Sequence, residues 1–144
     1  MEDQVTKLFL KEVARVFYFL VEEYSFSKPV IDVNNKINFI TATFMGKNLA
    51  IECILDVREY DIDCKIARVI NGKKTNHYAV DENRNKMREG IATLLRRRGI
   101  RERLFRKVSA LEPNEIIKTT LEDFAEMLKK YGQEILSDSS KALD

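Results

Sequence analysis

Five ionisable side chains with the potential for chemistry crowd one short stretch: Glu52, Asp56, Asp61, Asp63 and Lys65. If Asp56 and Asp61 stand opposite each other across a loop at Val57 to Glu59, then Glu52 falls opposite Lys65. Strand alternation then puts all five on one sheet face. Carboxylates gathered this way can hold Mg²⁺, and a lysine beside them can assist an attacking water. The bland alternative is a solvent-facing surface laced with cross-strand ion pairs, each worth ~0–1 kcal/mol. That alternative is the reading adopted, so no catalytic residue, metal ligand or cofactor is assigned.

The same register sets Cys53 directly opposite Cys64 on the apolar face. Two cysteines without a C-x-x-C spacing make neither a disulfide framework nor a zinc site. Reduced, buried thiols are expected there. A second cluster is basic: Arg96, Arg97, Arg98, Arg101, Arg103, Arg106 and Lys107, with Phe105 among them. Guanidinium groups at that density could neutralise phosphates while Phe105 stacks on a base. The competing reading is a helix C-terminus that favours cations, with arginines pairing to acidic helices. The sole histidine, His77, has no local nucleophile to serve. Asn83 and Asn85 read as turn and capping residues.

These side chains need elements to position them. At 144 residues, with 44% apolar and 33% charged residues and a net charge of +2, the chain is an ordinary globular domain. No whole-molecule field draws it to nucleic acid or membrane. The opening residues carry no basic n-region, and Lys11, Glu12 and Arg15 interrupt the apolar run from Leu8 to Val21. That run reads as a core helix in a cytoplasmic protein, not as a signal or a span.

Val5, Leu8, Phe9, Val13, Val16, Phe17, Leu20, Val21 and Tyr24 keep helical spacing, which predicts a helix from Asp3 to Tyr24. Leu10 and Phe19 widen its stripe, so it sits centrally on a sheet or is shared with a second subunit. Strands follow: a short edge strand at Val30 to Val33, then Ile37 to Met45, Asn48 to Asp56 and Tyr60 to Ile70. Asn71-Gly72 is a turn leading into a last strand near Lys74 to Val80. From Asp81 the period is helical again, with Met87, Ile91, Leu94 and Leu95 on one face and Gly99 as the stop. A short helical piece is expected from Arg101 to Val108. Pro113 opens the closing helix, whose stripe is Ile117, Leu121, Phe124, Leu128, Tyr131 and Ile135. The chain is one domain, 1–144, with a frayed tail over 136–144.

Two resemblances can be set on quoted residues. Asp63-Cys64-Lys65 beside a second acidic strand loosely resembles the PD-(D/E)xK nucleases, though no Pro-Asp dipeptide precedes that strand. Three stretches resemble a family of small bacterial α+β proteins, many reminiscent of immunity proteins of polymorphic toxin systems. They are Phe19-Leu20-Val21-Glu22-Glu23-Tyr24-Ser25-Phe26, then Ile54-Leu55-Asp56-Val57-Arg58-Glu59-Tyr60-Asp61-Ile62, and the closing run from Ala125 to Asp138. Ser25 stands where that family usually has glycine, and Ser137-Asp138-Ser139 replaces its Gly-Asp ending. The resemblance implies a structural scaffold and a protein partner, and it carries over no catalytic residue.

The reading is an α+β fold: an antiparallel meander sheet of about four or five strands, with N- and C-terminal helices packed on one face. Its expected role is a non-enzymatic protein-interaction domain, monomeric or a weak homodimer, with another protein or itself as partner. The alternative is a nucleic-acid-associated protein using 96–107, and the third reading is a metal-dependent nuclease.

Overall fold

The computed structural model describes residues 4–75, 86–137 and 143. Helices α1 (Gln4–Val16) and α2 (Tyr18–Tyr24) lead into strands β1 (Val30–Asn34), β2 (Phe39–Met45), β3 (Leu49–Asp56), β4 (Asp61–Ile70) and β5 (Lys73–Lys74). Strand β6 (Arg88–Gly90), α3 (Ile91–Arg97), α4 (Pro113–Tyr131) and α5 (Gln133–Ser137) complete the chain. Strands β1 to β5 form an antiparallel meander in sequence order, and β6 adds to β4.

The β3–β4 register is the one that alternation demands: Asp56 faces Asp61, Cys53 faces Cys64, and Glu52 faces Lys65. A slip of one residue would turn Ile51, Cys53 and Leu55 away from the helices. All three are buried, as are Cys64 and Ile66 opposite them. The two sulfurs lie 3.4 Å apart, reduced. Burial drives the Cys64 thiol well above its ordinary pKa, so it carries no thiolate at neutral pH.

One sheet face is covered by α1 and α4. Phe9, Val13, Phe17 and Leu20 come from the first helical stretch, and Ile117, Leu121, Phe124 and Leu128 from the last; all are buried in one core. Phe17 meets Phe44 of β2 with ring centroids 5.9 Å apart, and Phe105 meets Phe124 edge-on at 5.1 Å.

Five features differ from the sequence reading. The expected single N-terminal helix breaks at Phe17, whose φ −100° and ψ 10° leave the helical region. The closing helix breaks at Gly132, where a Cβ would stand 2.5 Å from the Leu128 carbonyl oxygen, so only glycine fits. Arg88 to Gly90 is strand rather than the start of a helix, and 101–108 is irregular. The frayed tail is also corrected at its described residues, because Leu136 and Leu143 are buried in the core. Of the expected last strand, Lys74 to Val80, only Lys74 and Thr75 are described, with Lys74 ending β5, and His77, Asn83 and Asn85 lie outside the described residues.

Candidate interaction surface

The acidic stretch of the central hairpin comes apart into separate structural roles. Asp56 caps its own turn: its Oδ1 accepts from the Arg58 and Glu59 amides at 3.0 and 3.3 Å. Asp61 is exposed at the start of β4, and Asp63, whose side chain is half exposed, lies 3.9 Å from Lys65 Nζ. Desolvation by partial burial lifts the Asp63 carboxyl above its ordinary value, against the pull of Lys65.

Glu52 corrects the expectation of a solvent-facing ion-pair surface, since it is only 1% exposed. Its Oε1 accepts from Arg88 Nε at 2.8 Å and its Oε2 from Lys74 Nζ at 2.5 Å. A metal ion on Glu52 would have to displace two cations. Among the described residues no group of three or more metal-ligating side chains is placed to hold an ion. Lys74 and Arg88 flank 76–85, so one buried carboxylate grips the chain on both sides of that stretch.

Glu89, 3% exposed, does the same for the helix that follows. It accepts from Arg97 at 2.8 Å and from Lys86 at 3.1 Å, and Arg97 also donates to the Leu143 carbonyl at 2.9 Å. Burial alone would raise the Glu89 pKa, but the hydrogen bonds from Arg97 and Lys86 outweigh it and hold the carboxyl below its ordinary range. Neither Glu89 nor its role was visible in the sequence; the only signal was an acidic residue eight positions before an arginine-rich helix end.

The basic segment is largely spent on the protein itself. Arg97 serves Glu89, and Arg106 donates to Asp123 at 2.7 Å and to Glu122 at 3.3 Å. Arg96 donates to the Ile100 carbonyl and Arg101 to that of Arg96, each at 2.9 Å. Arg98 caps α3. Arg103 and Lys107 are exposed and make no ion pair among the described residues. Phe105, offered above as a stacking ring, packs against Phe124. A groove of about 650 Å³ runs between 102–106, α4 and Arg15. Its walls carry both signs of charge, cross-linked by the Arg15–Glu122–Arg106–Asp123 chain and by Glu102, which accepts from Lys130 and Tyr131.

Strand β1 differs from every other strand of the sheet in its exposure; like β5 and β6, it has one paired neighbour among the described residues. It pairs with β2 from Val30–Thr43 to Asn34–Phe39, and among the described residues no strand pairs with its other edge. All five of its residues are exposed. Among the described residues the exposed large apolar side chains are Tyr18, Val30, Ile31, Val33, Ile37, Tyr60, Ile70 and Phe105, so half of them fall within 30–37. Ile31 and Val33 oppose Ala42 and Ile40, which puts them on the helix-covered face, yet they are 42% and 50% exposed because the helices stop short of this edge. The strand itself is firmly placed. Ser27 N donates to the Met45 carbonyl at 2.8 Å, and Ser27 Oγ accepts from Met45 N at 3.1 Å.

Comparison with protein-family models, curated proteins and solved structures finds no match for this chain. Among the described residues no helix is long and apolar enough to cross a membrane.

Proposed function

We propose that this chain is a non-enzymatic, cytoplasmic protein-interaction domain that engages its partner through the outer edge of β1. The observation that carries the reading is the edge itself: a strand whose outer backbone groups pair with no other strand among the described residues, bordered by exposed Val30, Ile31, Val33 and Ile37. Such edges are templates for another strand, and natural proteins block them where pairing is unwanted. A role as a scaffold for partner binding also agrees with the resemblance to immunity proteins of toxin systems. The buried pairing of Glu52 and the internal pairing of most of the basic segment favour this reading over metal-dependent cleavage and phosphate binding.

The double variant Ile31→Lys/Val33→Lys tests it, because lysines on an edge strand oppose strand addition. Isolated under native conditions from the cells that make it, the wild-type chain should travel in a larger assembly. The variant should travel alone with an unchanged melting temperature. A variant that assembles as well as the wild type would overturn the proposal.

A further inference from the structure

We infer that the occupant of the β1 edge is an extended segment of a different polypeptide, with a basic residue opposite Asp32 and acidic residues towards both ends, and not a second copy of this chain. The inference rests on the edge reading above and on the charges around it. Lys28, Asp32 and Lys36 are all exposed, and among the described residues their side chains form no ion pair. Asp32 sits at the middle of the strand, and the two lysines flank it at equal distances along the chain.

That symmetry acts against self-pairing. Antiparallel pairing of two copies along the whole strand centres on Asp32, so carboxylate would oppose carboxylate and each Lys28 would oppose a Lys36. Like charges directly opposite destabilise a strand pair. In-register parallel pairing has the same defect. Sliding the copies by two residues to centre on Ile31 brings Pro29 opposite Val33, and proline has no N–H to donate. Centring on Val33 instead sets Ile31 opposite Asn35, which already lies in the turn that ends the strand.

A foreign strand with the inverse charge order meets none of these obstacles. Alternation gives it a further requirement: side chains beside Ile31 and Val33 must be apolar, since those two line the helix-covered face. The occupant is therefore a polypeptide in the order acidic, basic, acidic, with apolar residues on the other face.

Three synthetic peptides of about eleven residues, long enough to span the strand and both lysines, separate the outcomes. One has alternating valine and threonine with a central lysine and a glutamate near each end. The second has those charges reversed, and the third is the chain's own 27–37. Binding is read by fluorescence anisotropy at low salt and by amide shifts of Val30 to Asn34. The first peptide should bind at least about tenfold tighter than the second, equivalent to about 1.4 kcal/mol. The triple variant Lys28→Glu/Asp32→Lys/Lys36→Glu should reverse the order. Equal binding of the first two peptides would overturn the charge code. Binding of the 27–37 peptide as tight as the first would name a second copy as occupant and sink this inference while the edge reading stands. If no peptide shifts the β1 amides, both fall.

Discussion

The two edges of the sheet are built on opposite plans. Along Lys65 to Ile70, β4 is closed by β5 and β6, and the closure is fastened by buried carboxylates: Glu52 on Lys74 and Arg88, Glu89 on Lys86 and Arg97. At the other end β1 has, among the described residues, one neighbour, no buried charge and a border of exposed aliphatic side chains. On the proposal above, a sheet with buried ion pairs at one edge and exposed aliphatic side chains at the other separates stability from recognition. The closed edge holds the chain together, and the open edge can change without unfolding it.

The sharpest break in that contrast comes from Glu52→Ala. Removing one partner of a buried charge cluster leaves Arg88 and Lys74 uncompensated, so the variant should lose about 3–5 kcal/mol in denaturant unfolding. A loss below about 1 kcal/mol, the range of an exposed pair, would mean that the closed edge is not held by this carboxylate.

Acid should act on the same edge. The Glu89 carboxyl is held below its ordinary value near 4.5, so its stabilisation is fully present above that pH and is lost as pH falls through the lower folded value. The wild type should therefore exceed Glu89→Gln in stability at neutral pH, with the gap closing below about pH 4. Parallel melting curves at several pH values check this, and a gap that widens in acid contradicts it.

Smaller effects lie towards the open edge. Ser25 ends α2 with φ 60° and ψ 28°, a left-handed conformation costly for any residue with a Cβ. Ser25→Gly should raise stability by roughly 1 kcal/mol without moving β1, as thermal melting and amide shifts would show. Smallest of all, Asp32→Ala on the bare edge and Asp63→Ala on the hairpin should each stay within about 0.5 kcal/mol of the wild type. A large loss for Asp32→Ala would erase the distinction between the two edges.

How much of this was legible depended on how local the cause was. The β3–β4 register could be read because Ile51, Cys53, Leu55, Ile62, Cys64 and Ile66 alternate cleanly and permit one pairing. The edge strand at Val30 could be read because Pro29 and the following asparagines bound it. Strand β6 could not: Arg-Glu-Gly has little strand propensity, and it is held by ladder bonds to β4 and by side-chain pairs to residues 36 and 8 positions away. The burial of Glu52 was hidden for the same reason, since Lys74 and Arg88 reach it only once the chain has closed. The exposure of Ile31 and Val33 has no sequence signal, because it depends on where the helices end in space.

Site-specific photo-crosslinking in the cells that make the protein tests the central claim most directly. A photoreactive side chain is placed at Val33 on the open edge, at Ile70 beside the closed edge, or at Arg103 in the basic segment, all exposed positions. The account predicts a discrete polypeptide adduct at position 33 that is absent at 70 and 103. Adducts at 70 or 103 with none at 33, or a nucleic-acid adduct at 103, would contradict it.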